Sequence, residues 1–528
     1  MSGHAGTRAL LRLALRLDRV RLPVWVLLLA VMPAVTATQY LKLYPTAQSR
    51  ELIAGVVANP SLIALNGPLF DSTSIGGLTA WKIGVTNLIL VGLMNVLTVI
   101  RHTRTEEEAG RSELLGAGAV GRSAPLTAAL LCAGLADLTT ALLIALGLVG
   151  VGMPAGGSVA LGLVIGAVGL LFAAVAAVAA QLTASARTAT AIAAAVLGGS
   201  YLLRAIGDAG PTWLSWLSPV GWGLLVRPFA AERWWLLRVI AVLACALMAV
   251  AYVLVGRRDL GAGLLPQRPG PAQAPAGLRS PLALAWRLNR GMLLGWLVGM
   301  VLAGATLGGA ANGIGAGFTA NQQLSDLLAR LGGSKGIVDA YLAAVFAITG
   351  LVAAAYTVQA TLRLHAEEAA GRLEPLLATR VGRIRWALSN LVFALLGTAV
   401  LLAAAGAAGG LAYGLEVGDV GGQVSRLLAA ALVQVPAAWV LAGLGAALFG
   451  LAPRLTVLTW AGLIGCLLLL EVGALLGLDQ WLIDASPFAH VPKLPGSAFT
   501  IAPLLWLTGI ALALGAAGLA GFRRRDIG

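Results

Sequence analysis

Apolar runs of about 20 residues recur along the whole of this 528-residue chain, and few folds accommodate that pattern. One such run, coiled as a helix that rises about 1.5 Å per residue, crosses the roughly 30 Å hydrocarbon core of a bilayer. Lipid offers no partners for backbone N–H and C=O groups, so long runs of this kind cross it as helices. We read twelve spans, at 22–40, 79–100, 124–149, 159–180, 188–206 and 236–255, then at 292–311, 337–360, 386–412, 427–450, 457–476 and 503–521. The expected fold class is an all-α polytopic membrane protein. Charged residues make up 11% of the chain, against about 25% in a soluble domain. The intervals between spans leave no room for a separate soluble domain, so any soluble machinery is expected from another chain. The first apolar run lacks a small-residue cleavage site and reads as a retained span.

An even number of spans puts both termini on one side. The segments on that side carry 25 of the 36 lysines and arginines, which makes it the cytoplasmic side. The net charge of +14 is therefore a signal of topology, and nucleic acid is not an expected partner. The three cysteines, Cys132, Cys245 and Cys466, fall inside apolar spans and read as small packing residues, without metal-ligand spacing.

The chain repeats itself. Arg16-Leu17-Asp18-Arg19, with Trp25 after it, returns as Arg287-Leu288-Asn289-Arg290 with Trp296. Glu106, Glu107, Gly110, Arg111, Glu113 and Arg122 return as Glu367, Glu368, Gly371, Arg372, Glu374 and Arg383. Arg187 returns as Arg454, Ser218-Pro219 as Ser486-Pro487, and Arg257-Arg258-Asp259 as Arg524-Arg525-Asp526. Five matches in one order mark an internal duplication. Each copy has six spans, so both enter the membrane from the same side, as parallel repeats. The expected organisation is a first half at 1–259, with an interfacial helix at 8–21 and a cytoplasmic loop at 101–123. A flexible linker rich in Pro, Gly and Ala follows at 260–280, then a second half at 281–528 with its loop at 361–385.

The two loops place carboxylates on the face that otherwise collects arginine. Thr105 and Glu108 have capping-box spacing. Two readings stand: a short solvated helix whose charges pair among themselves, or a docking surface for a two-fold symmetric cytoplasmic partner.

The pattern Glu-Glu-x-x-Gly-Arg-x-Glu, followed by an arginine entering span three, resembles ABC-2 type transporter permeases. Two fused six-span halves resemble, within that family, the permeases of antibiotic and multidrug exporters, including those of polyketide type. The resemblance implies an exporter of the type V class, with Glu106, Glu107, Gly110, Arg111, Glu113, Glu367, Glu368, Gly371, Arg372 and Glu374 coupling to an ATPase. It implies two copies of a separate ABC ATPase subunit, which would bind ATP and Mg, and a small hydrophobic substrate such as an antibiotic or drug. It implies a bacterial cytoplasmic membrane, and an interfacial helix in which Arg8, Arg12, Arg16 and Arg19 face lipid phosphates. The chain itself has no phosphate-binding loop, because none of its four lysines lies in Gly-x-x-x-x-Gly-Lys-Ser/Thr. It is thus expected to be a transport subunit with no cofactor of its own and no catalytic or metal site.

Polar residues within spans are costly and invite a functional reading. Arg204 aligns with Glu471 across the repeat, as a gate pair or as two charges that snorkel separately. Asp137 lies mid-span, opposite Thr398 in the repeat. Asn95, Thr98, Tyr356 and Gln359 line the pathway by the family resemblance, or simply join helices. Tryptophans after spans five and eleven are expected at headgroup level, where Pro219 and Pro487 are expected to break any re-entrant helix. The alternative is a proton-coupled secondary drug transporter, in which Asp137 would carry the proton.

Overall fold

The computed structural model describes residues 3–57, 60–111, 120–259, 261–265, 272–319, 333–472 and 479–526. Those residues are helical with no strand, and eleven helices among them are long and apolar enough to cross a membrane. The chain forms two compact units, Met1–Gly270 and Pro271–Gly528.

In the first unit an amphipathic helix, Thr7–Leu17, precedes six long helices: Arg21–Leu43, Ile75–Ile100, Ala124–Gly150, Ala155–Leu182, Ala186–Ala209 and Trp235–Arg257. We call these spans one to six. Each matches an expected run to within a few residues, because the apolar runs end at real breaks. Ser74 caps span two by accepting from Gly77 N at 3.0 Å, and Pro125 opens the first turn of span three. Spans two and four are the most enclosed in this unit, and span six the least. Lipid tails are as apolar as leucine, so packing depends on close backbone approach. A Cβ at Gly162 of span four would lie 2.3 Å from Ala141 O of span three. The outward row Leu131, Leu135, Leu138, Leu142 and Leu146 on span three is exposed, as a lipid-facing stripe requires.

After span five, Pro219 does not break a helix but opens one. It is the first residue of helix Pro219–Leu225, whose N-cap Ser218 accepts from Gly221 N at 3.0 Å. Trp213, Trp216, Trp234 and Trp235 around it are exposed.

In the second unit span seven is one unbroken helix, Pro281–Thr319, so the basic segment Trp286–Arg290 is not a separate interfacial helix. Asn289 there donates to Ala285 O within the same helix, where Asp18 in the first unit ends the interfacial one. Span eight is Gly333–Ala369 and span nine is Arg383–Val417. Span ten is Val420–Leu432 continued by Val435–Leu451, and span twelve is Ala502–Arg524. The eleventh expected run appears as Leu458–Val472, 15 residues, with 473–478 outside the described residues. Spans ten and twelve touch backbone to backbone at Gly450 and Gly518.

Candidate functional site

Span two runs without interruption into a π-helical turn, Arg101–Thr105, and on through Glu106–Glu108. Gly110 stops it at φ 71°, and in the second unit Gly371 stops span eight at φ 68°. Added Cβ atoms at these glycines would meet nothing within 4 Å, so the left-handed backbone demands glycine, and space does not. In the second unit Gly371 N donates to Glu368 O and Arg372 N to Glu367 O, at 2.9 and 3.1 Å, which is a Schellman stop.

The motif charges then divide into two kinds. The first glutamate of each pair closes on the arginine beyond the glycine. Arg111 forks onto Glu106 at 2.6 and 2.9 Å, and Arg372 Nε lies 2.7 Å from Glu367. The hydrogen bond and then the charge of each carboxylate raise both guanidinium pKa values. The second glutamate turns away from solvent to the last span of its own unit. Arg258, just past span six, forks onto Glu107 at 2.5 and 2.9 Å, and Arg525, just past span twelve, reaches Glu368 at 2.5 Å. Each of those arginines also offers its backbone oxygen to the arginine that enters the third helix of its unit, Arg122 or Arg383.

The first loop is tied down further. Arg104 is fully buried, and it donates to Ala180 O, to Ala262 O and to Glu107, at 3.0, 3.0 and 2.7 Å. Glu108 accepts from Ala186 N at 2.9 Å, at the start of span five. Asp18, at the end of the interfacial helix, meets His102 at 2.6 Å and Arg101 at 3.2 Å. The start of the expected flexible linker is docked as well: Leu264 N and Leu265 N donate to Gln181 O and Leu182 O at 3.1 and 2.9 Å. One short loop thus touches the interfacial helix and spans four, five and six. Beside it, under Leu10, Leu13 and Leu17, lies a cavity of about 400 Å³.

In the second unit, Arg363 donates to Leu288 O at 2.9 Å. Buried Leu373 roots the loop helix Leu373–Leu377 beside Trp386, Phe449 and Phe522. Glu374 sits exposed in its first turn. Around each stop the exposed residues combine an alanine with the arginine beyond the glycine: Ala109 and Arg111 in the first unit, Ala370 and Arg372 in the second. Glu113 lies outside the described residues.

The polar residues inside the spans have partners within their own units. Asn95 donates to Asp137 at 2.7 Å, joining spans two and three, and Thr98 bonds Met94 O in its own helix at 2.7 Å. In the second unit Thr357 and Thr398 share a 2.5 Å bond, and Tyr356 donates to Phe393 O at 2.8 Å. Gln359 is exposed and accepts from Trp296 Nε1 at 2.9 Å. Arg204 is buried and donates to Ala64 O at 2.7 Å and Leu65 O at 3.3 Å, with Asp208 also at 3.3 Å. Its two Nη groups therefore serve its own unit, and the side chain of Glu471 lies outside the described residues.

Sequence reasoning missed Arg258 and Arg525 as partners of the loops. The signal was present, since both recur in the same order as the loop motif. Their contacts lie 151 and 157 positions away, which no local pattern reveals.

Comparison with known proteins gives two matches. Residues 278–523 match the family model described as multidrug efflux system permease Rv1217c, C-terminal domain. The whole chain is 47% identical over 528 residues to the multidrug efflux system permease protein Rv1217c of Mycobacterium tuberculosis (strain ATCC 25618 / H37Rv), covering 100% of this chain and 96% of that relative.

Proposed function

This chain belongs to the family of multidrug efflux system permeases represented by Rv1217c, and on that premise we propose that it is the membrane subunit of an ATP-driven ABC exporter. Its substrates are hydrophobic or amphiphilic compounds, antibiotics among them. It works in a bacterial cytoplasmic membrane with two copies of a separate ATPase, which bind ATP and Mg. Twelve spans in two parallel sets of six form the permease.

The observation that carries this reading is the paired loop. At the same place in each unit, a span emerges on the arginine-rich side, is stopped by a left-handed glycine, and presents an outward rim on which the arginine beyond the glycine is tied to the first motif glutamate. A rigid protrusion of this kind suits a partner that pushes on it. ATP closes the two ATPase subunits, the loops are displaced, and the spans attached to them follow. The energy is the difference in ATP affinity between the two states.

The geometry alters where the partner should touch. Glu107 and Glu368 face the last spans, so the docking surface is the exposed rim near Ala109 and Ala370. Ala109→Arg with Ala370→Arg should abolish co-purification of the ATPase while the permease stays monodisperse. Undiminished binding of two ATPase subunits by that double variant would contradict the docking assignment.

A further inference from the structure

We propose that Arg258 and Arg525 are transmission residues, each fastening the loop of its unit to the last span of that unit so that displacement of the loop is delivered to spans six and twelve. The proposal deepens the exporter reading and rests on it.

The loops are covalently continuous with spans two and three and with spans eight and nine, but any other span must be moved by contact. In both units the contact to the last span is an ion pair between the second motif glutamate and the arginine just past the helix end. The side chains are enclosed, at 8% and 12% exposure for Arg258 and Glu107, and 21% and 13% for Arg525 and Glu368. A pair held out of water keeps its geometry where an exposed one would exchange with solvent.

The surroundings of the two pairs differ, and this argues that the pair itself matters. Arg258 is steadied by Gln181 at 2.7 Å, and its glutamate is shared with buried Arg104. Arg525 instead lies over the rings of Phe449 and Phe522, 5.0 and 5.6 Å from their centres, and the residue matching Arg104 is His365. Between glutamate and arginine the two halves also differ in length, with 151 against 157 positions. Scaffolding has diverged around a pairing of the same two residue types. In both units the arginine's backbone oxygen is held by the arginine entering the third helix, so the fastening is braced against rotation. In the first unit the guanidinium–carboxylate contact is a bidentate fork, and in the second a single charge-assisted bond from Arg525 supported by the aromatic rings beneath it.

The test uses the full permease co-expressed with its ATPase and reconstituted in vesicles, with ethidium as the transported probe. Arg258→Ala with Arg525→Ala should still bind two ATPase subunits and hydrolyse ATP. Ethidium moved per ATP should fall about tenfold, in line with the size of typical coupling energies. In the second unit, where no arginine stands at the position of Arg104, the swap Glu368→Arg with Arg525→Glu on a wild-type first unit should recover a large share of the coupling that Arg525→Ala alone removes. It also serves if the alanine variants fail to fold. Unchanged ethidium per ATP, or loss of ATPase binding in parallel with transport, would overturn the proposal. Failure of the wild-type chain to bind any ATPase would instead overturn the exporter reading beneath it.

Discussion

Replacing Glu107 with Gln should destabilise the chain far more than the same change at its repeat partner Glu368. Glu107 accepts from two arginines, Arg104 at 2.7 Å and the fork of Arg258 at 2.5 and 2.9 Å. The Arg104 side chain is 0% exposed. The amide keeps the shape and one acceptor oxygen but removes the charge, leaving two enclosed guanidiniums of like sign. Removing one partner of a buried pair costs about 3–5 kcal/mol. The surviving oxygen, and the two carbonyls that Arg104 already holds, place this case near the lower end, about 3 kcal/mol. Glu368 faces one partly exposed arginine that also rests on aromatic rings, so its loss should cost about 1 kcal/mol. The difference, about 2 kcal/mol, is about thirtyfold in rate if it falls on unfolding. The assay is the half-life of monodisperse protein in detergent at one fixed temperature, for wild type and the two variants. Equal half-lives, or a shorter one for Glu368→Gln, would refute the reasoning from Arg104.

Three further outcomes follow from single sites. Gly371→Ala meets no atom but must hold φ 68°, so it should cost about 1 kcal/mol and speed hydrogen exchange in the loop about fivefold; unchanged exchange would show that the glycine stop does not set loop order. Gly450→Val places Cβ 1.8 Å from Gly518 O and should yield no monodisperse protein, whereas Gly256→Ala, with nothing within 4 Å, should behave as wild type. Asp137→Asn keeps an acceptor for Asn95 and should leave efflux intact; well-folded protein without efflux would instead point to proton carriage through Asp137.

The span pattern was legible because each apolar run is long and ends at a real break, as at Ser74 or Pro125. Helix continuity was harder to read. Arg287–Arg290 repeats the sequence that ends the interfacial helix, yet span seven runs straight through it, since Asn289 bonds within the helix where Asp18 ends one. Pro219 looked like a breaker because proline removes a donor, but at the first helical position that donor has no partner to lose. In the loops, the residue types and the glycine were legible from the repeat. Their direction was not, because it depends on arginines more than 150 positions away. The neighbours of Arg204 show the same limit: Asp208 sits one helical turn on, but the carbonyls of Ala64 and Leu65 come from a distant segment.

The most direct test of the central claim is the energy source for transport in vesicles containing the permease with its ATPase. The account predicts that ethidium moves only when ATP is hydrolysed, continues when an ionophore collapses the proton gradient, and stops with the Ala109→Arg, Ala370→Arg permease. Transport by the permease alone, driven by an imposed pH gradient and indifferent to ATP, would contradict it.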